Sequence, residues 1–337
     1  MNLRHALAVL AGLSLAPAVA AAQAVDMKIA DTLPSGHVIH RHMLLPFIEE
    51  ANKALAGKVT LKHFPGGQLG KPQDMLTLTQ TGVVEIGFVG PSYISDKMPH
   101  MAAVELPGLF PDYCKGIAAT WKLTHGGILD SKDFASNGIV VLLFAGLPTY
   151  QIQVNTDRSI STLRDLAGLK VRTSGGAMEF LAKNLGMVPV RMAPPEIYEA
   201  LSRGTIDGYL MSYQSTVSYT LDKLVKRGTS KANFGTIVAT YSIAKSKLDA
   251  LPADVRQTLM DLGEKHTLAA CSKFETEEKT SREKVMGEGL KLFDFTGEDE
   301  RQLKSAFEKT HADWVENMEK RGKAGKAVMD AVLATIK

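Results

Sequence analysis

Only two of the 337 residues are cysteines, Cys114 and Cys271, so no disulfide framework can be read from their spacing. Buried free thiols are the favoured prediction. Pairing remains the alternative if the protein is exported to an oxidising compartment. The chain also lacks a large excess of charge of one sign, since 39 Lys and Arg residues nearly balance 36 Asp and Glu residues and leave a net charge of +3. A nucleic-acid-binding domain usually has a stronger basic excess, so no nucleic-acid partner is expected.

The motifs of the common enzyme classes are missing as well. The glycine-rich segment 66–71 lacks the spacing of a phosphate-binding loop, and Pro72 stands where a Ser or Thr would bind magnesium. No nucleophile elbow, zinc-protease signature or dinucleotide fingerprint occurs. His37, His40 and His42 have no matching set of acids or cysteines, so they predict no metal site. The sequence therefore predicts a non-enzymatic protein with no metal and no cofactor.

Long hydrophobic runs are confined to the N-terminus. Residues 1–24 combine Arg4, an apolar run over 6–22 and a small-residue end, Ala22 to Ala24, which is typical of a secretory signal peptide. The alternative is a membrane anchor, but the run is mostly alanine and falls short of the ~20 strongly apolar residues that a span needs. We expect a mature protein that begins near Val25 and lies outside the cytoplasm.

The remaining ~310 residues are too many for one compact core and suit two lobes. Strands and helices alternate in the first part. Strands are predicted over 27–30, 59–64 and 84–89, and helices over 40–55 and 72–80. This alternation predicts βαβ units around a parallel sheet.

A similar unit recurs further along the chain. A strand near 188–190 leads through a proline-containing loop to a helix over 196–203 and to a strand that follows Gly208. The earlier unit that ends at residues 81–89 has the same order of strand, proline-containing loop, helix and strand. In both units a glycine, a Val or Ile and an acid open the last strand. Two related α/β units predict two similar lobes that face each other across a cleft, where ligands usually bind.

The C-terminal third has a different character. Long charge-laced helical patterns run over 252–289 and 298–320, with apolar residues at helical spacing. These helices are expected to brace the lobes and to carry no chemistry.

Residues 163–176 are the most informative segment. They predict a short strand, 169–173, with Arg172 near its end, then a glycine turn and a helix from Ala177. An arginine at this place, beside the N–H groups of a helix start, is where an α/β fold binds anions. Its planar guanidinium can hold a carboxylate through two parallel hydrogen bonds. The alternative is a surface arginine after an edge strand.

With the signal peptide and the repeated unit, these residues resemble the extracytoplasmic solute-binding proteins of TRAP (tripartite ATP-independent periplasmic) transporters. The segments that carry the resemblance are 165–172 and 196–208, supported by 66–70 and 251–256. It implies an α/β, two-lobed periplasmic binding protein fold with a ligand cleft between the lobes, two strands that cross the hinge and a long C-terminal helix. The implied division is lobe I at 25–148 plus 235–275 and lobe II at 149–234 plus 276–337.

The resemblance also implies a function. Such proteins capture a small organic acid in the periplasm and deliver it to TRAP membrane permease subunits, and a monomer is expected. The arginine that matches Arg172 binds the ligand carboxylate in that family. The alternatives are a secreted enzyme that uses the same cleft and a ligand sensor for a signalling receptor.

Two departures from the family pattern predict the kind of acid. The strand at 150–154 has no arginine for a second carboxylate, and Met211 stands where the family often has an Asn. We expect an aromatic or branched monocarboxylate, with or without a 2-oxo or 2-hydroxy group, in preference to a small dicarboxylate. Ordinary core packing is the alternative role for each aromatic residue. The predicted ligand-binding residues are Arg172, Met211, Tyr209, Tyr213, Thr32, His37, Phe88, Gly90, Pro91, Tyr93, Gln151 and Gln153.

Overall fold

A computed structural model describes residues 24–336, and the predicted signal peptide lies outside the described residues except for its last residue. The strands are β1 (Val25–Ala30), β2 (Val59–Phe64), β3 (Ile86–Val89), β4 (Ile139–Gly146), β5 (Gln151–Val154), β6 (Lys170–Thr173), β7 (Val188–Arg191), β8 (Gly208–Met211), β9 (Arg227–Gly228), β10 (Val238–Ala244) and β11 (Lys291–Leu292). The α-helices are α1 (Leu45–Ala54), α2 (Met75–Gln80), α3 (Tyr113–Thr124), α4 (Ala177–Asn184), α5 (Ile197–Ser202), α6 (Tyr213–Ser218), α7 (Lys245–Asp249), α8 (Ala253–Gly287), α9 (Glu298–Lys320) and α10 (Gly325–Ile336). Within residues 24–336, no helix has the length and apolar character to cross a membrane.

The strands form two sheets with matching topology. The first has the order β2-β1-β3-β10-β4, and the second has the order β11-β9-β5-β8-β6-β7. In the first sheet β1 pairs in parallel with β2 and β3, and in the second β6 pairs in parallel with β7 and β8. An antiparallel strand follows in each, β10 beside β3 and β5 beside β8. The prediction of two related α/β units is confirmed.

The chain crosses between the sheets three times. It passes from β4 to β5, returns from β9 to β10, and passes again from β10 through α7 and α8 to β11. The predicted lobe boundaries near 148 and 234 fall in the first two of these connections. The assignment of residues 276–337 to lobe II stays a prediction. Within that segment, α10 packs against α3, which precedes β4 of the first sheet.

The long helix α8 spans both lobes. It has 35 residues and packs on α1, α3 and β4 at one side and on α6 at the other. Gly263 allows the closest approach, because a Cβ atom there would lie 1.9 Å from the carbonyl oxygen of Leu142 in β4. One turn later the hydroxyl of Thr267 accepts a hydrogen bond from the N–H of Phe144 at 3.0 Å. The long C-terminal helix is therefore held directly on the first sheet.

The helix predicted over 40–55 begins differently from the prediction. Residues His40–Leu44 form a π-helical turn, and α1 starts only at Leu45. Pro46 lacks an N–H group and cannot donate the bond that a regular α-helix would require at this position. Proline chemistry therefore explains the break.

The prediction of free thiols is wrong. Cys114 in α3 and Cys271 in α8 form a disulfide, with their Cα atoms 5.4 Å apart. The two are separated by 157 residues in sequence, and their proximity results from the packing of α3 on α8. Sequence spacing carries no information about that packing.

Candidate functional site

Arg172 is fully buried in the second sheet, in β6 between β7 and β8. Its Nε donates a hydrogen bond to the carbonyl oxygen of Met192 at 3.0 Å. Its Nη1 and Nη2 atoms are buried and make no hydrogen bond of good geometry within residues 24–336, although the guanidinium lies close to the Tyr93 hydroxyl. An unpaired buried charge is strongly unfavourable, so these nitrogens lack an acceptor that the described chain does not supply.

The backbone after Arg172 has the predicted strand–glycine–helix arrangement. Gly175 and Gly176 have φ angles of 107° and 57°, values that favour glycine, and α4 begins at Ala177. The hydroxyl of Thr173, next to Arg172, is also buried without a partner in the described chain. Two successive residues at the end of β6 therefore carry unsatisfied polar groups, one on each face of the sheet.

A cavity of ≈ 30 Å³ lies between the two sheets. Both lobes and the connection between β4 and β5 contribute to its wall. Its lining residues are Leu33, His37, Ile39, Phe88, Tyr93, Ala145, Leu147, Tyr150, Pro194, Met211, Ser215, Tyr219, Ile237 and Ala239. The wall is apolar and aromatic with few polar groups, as is typical of small-molecule sites.

Three tyrosines of this wall lie near the Arg172 guanidinium. Burial raises the pKa of Tyr93, Tyr150 and Tyr219, and the positive charge of Arg172 opposes that rise at all three. Their phenols are therefore neutral and can donate or accept hydrogen bonds. Tyr93 lies against the backbone of Gly90, where a Cβ atom would stand 2.6 Å from the ring.

His37 supplies a neutral imidazole to the same wall. Burial lowers its pKa to about 3. Its Nδ1 accepts a hydrogen bond from the N–H of Ile39 at 3.2 Å, so the single ring proton is assigned to Nε2. The ring packs edge-to-face on Tyr219 with centroids 5.9 Å apart. His37 can therefore donate a hydrogen bond without adding charge to the cavity.

The structure brings four further predicted residues together at the cavity: His37, Phe88, Tyr93 and Met211. Arg172 is not itself among the lining residues, but its charge acts on the wall residues Tyr93, Tyr150 and Tyr219. Of the other positions, Thr32 follows β1, and Gly90 and Pro91 follow β3. These three are not among the lining residues.

Four predicted polar side chains have partners within the protein. Gln151 donates to the Ala232 carbonyl oxygen at 2.5 Å, and Gln153 donates to that of Met211 at 3.1 Å. The Tyr209 hydroxyl donates to Thr216 Oγ1 at 3.2 Å, and the Tyr213 hydroxyl donates to the Thr229 carbonyl oxygen at 2.7 Å. None of the four lines the cavity, and their contact with a ligand stays a prediction.

Sequence reasoning missed several members of the wall, above all Tyr150, Ser215 and Tyr219. Met211, Ser215 and Tyr219 are four residues apart, which places the last two on one face of the helical segment that follows β8. That spacing was the available signal. Nothing local to Tyr150 distinguishes it from a core residue.

The lobes touch each other directly at the rim of the cavity. Arg191, the last residue of β7, donates from Nη2 to the carbonyl oxygens of Ser92 at 3.1 Å and Tyr93 at 3.0 Å. These carbonyls follow β3 of the first sheet, whereas β7 belongs to the second. Gly175 lies against the same contact, since a Cβ atom there would stand 2.7 Å from the Ser92 oxygen. The structure is therefore a closed arrangement of the two lobes.

Comparison with known proteins gives a consistent result. The family model described as "Bacterial extracellular solute-binding protein, family 7" matches residues 29–317. A solute-binding protein of Albidiferax ferrireducens is 25% identical over 268 residues, 76% of this chain and 77% of the relative. The C4-dicarboxylate-binding periplasmic protein DctP of Rhodobacter capsulatus is 30% identical over 221 residues, 63% of each chain.

Solved structures share the fold. A TRAP solute-binding protein from a marine metagenome, specific for aromatic acid ligands and in complex with metahydroxyphenylacetate, superposes with a TM-score of 0.85 at 22% identity, covering 93% of this chain and 98% of that one. A TRAP solute-binding protein from Rhodoferax ferrireducens T118 in complex with copurified benzoate has a TM-score of 0.83 at 22% identity, covering 93% and 97%. These likenesses establish the two-lobed architecture.

Proposed function

Since the chain belongs to the bacterial extracellular solute-binding proteins of family 7, the extracytoplasmic solute-binding proteins of TRAP transporters, we propose that it captures an organic acid anion and hands it unchanged to a membrane permease. The observation that carries the proposal is the guanidinium of Arg172. It is completely buried, yet two of its three nitrogens have no partner in the described chain. A ligand carboxylate would supply both missing acceptors through a two-pronged hydrogen bond.

The proposed ligand is an aromatic or branched monocarboxylate. Apart from Arg172, the site offers neutral donors, namely the phenols of Tyr93, Tyr150 and Tyr219 and the imidazole of His37. No cationic side chain lines the cavity within residues 24–336, so once Arg172 holds one carboxylate a second would have no charged partner. Phe88 and Met211 add apolar surface against which a ring or branched chain can pack. The structural neighbours that hold metahydroxyphenylacetate and benzoate support this choice.

Binding would require the lobes to move. A cavity of ≈ 30 Å³ holds no more than a few waters, whereas sites for organic ligands usually measure about 300–1,000 Å³. The ligand would therefore enter an open form, and the lobes would close on it until the Arg191 contact re-forms.

A ligand screen tests the proposal. Thermal shift should respond to benzoate, 3-hydroxybenzoate, mandelate and branched 2-oxo acids, and mass spectrometry should recover the bound acid unaltered. Succinate and malate should give little response. Tight binding of succinate with no response to any monocarboxylate would contradict the ligand class, and chemical conversion of a bound acid would contradict the transport role.

Replacement of Arg172 tests the anchor. We expect Arg172→Ala to lower the affinity for the identified acid by roughly thirty-fold or more, because loss of one member of a buried charge pair costs ~2–5 kcal/mol. Arg172→Lys should restore the affinity only in part, since it keeps the charge but loses the planar two-pronged geometry. Calorimetry measures both. Arg203→Ala is the control, because Arg203 is exposed and paired with Glu199.

The same site predicts an unusual effect on the ligand-free protein. Arg172→Met removes a buried, charged guanidinium whose terminal nitrogens have no partner in the described structure. The variant should therefore unfold at the same temperature as wild type or at a higher one. Differential scanning calorimetry without ligand measures this. A large loss of stability would mean that Arg172 is a structural residue.

A further inference from the structure

A cluster of metal-binding side chains lies in the first lobe, outside the contacts proposed for the acid. Asp31 directly follows β1, His40 lies in the π-helical turn before α1, and His63 lies in β2. Both imidazoles reach the same carboxylate oxygen, with 2.7 Å from His40 Nε2 to Asp31 Oδ2 and 2.7 Å from His63 Nε2. The side chains of Asp31, His40 and His63 are 0%, 3% and 13% exposed.

We propose that Asp31, His40 and His63 form a binding site for a divalent transition metal ion, with zinc as the best match. The three ligand atoms all lie within 4.8 Å of one another. In a tetrahedral zinc site with bonds near 2.0 Å, ligand atoms are about 3.3 Å apart, so the Asp–His pairs need to separate by only a few tenths of an ångström. Two imidazole nitrogens and one carboxylate oxygen suit zinc and disfavour magnesium and calcium, which take oxygen ligands.

The surroundings of Asp31 already form an outer shell. The Tyr241 hydroxyl donates to Asp31 Oδ2 at 2.9 Å, and the Leu33 N–H donates to Oδ1 at 3.0 Å. Such contacts orient a ligating carboxylate and raise metal affinity. The backbone is equally fixed, because β1 pairs with β2 and places Ile29 opposite His63. His63 is thus fixed by the sheet, and Asp31 lies at the end of the strand paired with it.

The metal would replace two hydrogen bonds by two metal–nitrogen bonds. Each imidazole can donate its Nε2 proton to Asp31, so zinc would bind the other tautomer, in which the ring proton lies on Nδ1 and the Nε2 lone pair is free. The site supports the cavity wall from behind, since His40 contacts His37 with centroids 6.3 Å apart and Tyr241 contacts Phe88 at 5.3 Å. Zinc would therefore stabilise the first lobe and its face of the cleft.

Zinc titration of the full chain, without a polyhistidine tag and after treatment with a chelator, tests the site. Calorimetry with ZnCl2 should give one equivalent bound per chain, and magnesium or calcium should not compete. His40→Gln and His63→Gln each keep an N–H donor for Asp31 but lose the ring lone pair, so each should weaken zinc binding about 100-fold or more. Tyr241→Phe, which removes only the outer-shell donor, should weaken it about 10- to 100-fold.

A matched histidine provides the control. His266 pairs with the Glu50 carboxylate at 2.9 Å elsewhere in the structure, and His266→Gln should bind zinc as tightly as wild type. Circular dichroism should show that each variant is folded, and a diffraction map at the zinc edge should place the ion among the three side chains. No saturable binding, or equal affinity in His63→Gln and wild type, would overturn the proposal. Either outcome would leave binding of an organic acid by the zinc-free protein unchanged. Failure of the zinc site can therefore be distinguished from failure of the transport proposal.

Discussion

Glu105 is a buried carboxyl group whose charge acts on Tyr93 and Tyr150 of the cavity wall. It is 1% exposed, its Oε1 accepts from the Val238 N–H at 2.9 Å, and its Oε2 accepts from the Ser92 hydroxyl. Burial raises the pKa of Glu105 to about 7, although both hydrogen bonds act in the opposite direction. Glu278 resembles Glu105. Burial raises the pKa of Glu278 to about 7, although hydrogen bonds from the N–H groups of Gln214 and Tyr213 act to lower it.

The raised pKa of Glu105 makes stability depend on pH with a definite sign. The folded state binds this proton more tightly than the unfolded state, so the stabilisation is complete below pH 4.5 and is lost as pH rises through about 7. The loss attributable to Glu105 should be about 3 kcal/mol. Glu105→Gln cannot ionise, so its free energy of unfolding should fall less than that of wild type between pH 5 and pH 8.

Urea unfolding at several pH values measures this difference. Each variant has to be compared with wild type, because His37 also makes the free energy of unfolding depend on pH. Its lowered pKa makes the protein less stable as pH falls below 6.5, which is the opposite trend to that of Glu105. Glu278→Gln should remove a similar part of the slope, whereas the exposed Glu300→Gln should change nothing. An unchanged slope in Glu105→Gln would show that this carboxyl ionises normally in the folded protein.

At the scale of elements, α8 organises the molecule through its contacts with both lobes. Its packing on β4 depends on Gly263, and its packing on α3 is reinforced by the disulfide between Cys114 and Cys271. The bond closes a long loop of 157 residues. A cross-link of this span restricts the unfolded chain strongly, which is the main way in which disulfides stabilise proteins in the chain-entropy account.

Removal of the disulfide should therefore destabilise the protein. We expect the double variant Cys114→Ser, Cys271→Ser to lose roughly 2–5 kcal/mol of unfolding free energy. Chemical denaturation with and without a reductant provides the measurement. The reductant should lower the stability of wild type and leave the double variant unchanged. If wild type and variant unfold together under oxidising conditions, the bond does not form in the folded protein.

At the scale of the whole molecule, Arg191 links the two lobes. It belongs to the second sheet, yet its Nη2 bonds to the carbonyl oxygens of Ser92 and Tyr93 in the first lobe. Tyr93 also lines the cavity. The contact exists only when the lobes are closed, so it favours the closed state without touching the acid.

Loss of this contact should mainly shorten the time that the ligand stays bound. We expect Arg191→Ala to weaken binding about five- to tenfold, which corresponds to about 1 kcal/mol for hydrogen bonds at an exposed position. Stopped-flow kinetics should show a faster dissociation rate and a nearly unchanged association rate. Arg203→Ala, an exposed arginine of the same lobe, should show neither effect. A fall in the association rate alone would argue against a role in closure.

Much of the fold follows from the sequence by itself. Hydrophobic periodicity and glycine and proline turns identified the repeated α/β unit, the short strand that ends near Arg172 and the long C-terminal helix, because these patterns depend on residues only a few positions apart. The motifs at 165–172 and 196–208 identified the family for the same reason. The contiguous strand, turn and helix start around Arg172 could likewise be predicted, and the anion-binding role of Arg172 stays a prediction.

Only the tertiary structure decided which distant side chains meet. Cys114 reaches Cys271 because α3 packs on α8, and His63 reaches Asp31 because β2 pairs with β1. Tyr150 and Tyr219 join one cavity wall because the two sheets meet there. The cluster of Asp31, His40 and His63 is not visible in the sequence, since its members lie on three different elements. Local patterns specify elements, whereas sites made from several elements depend on packing between residues that are remote in sequence.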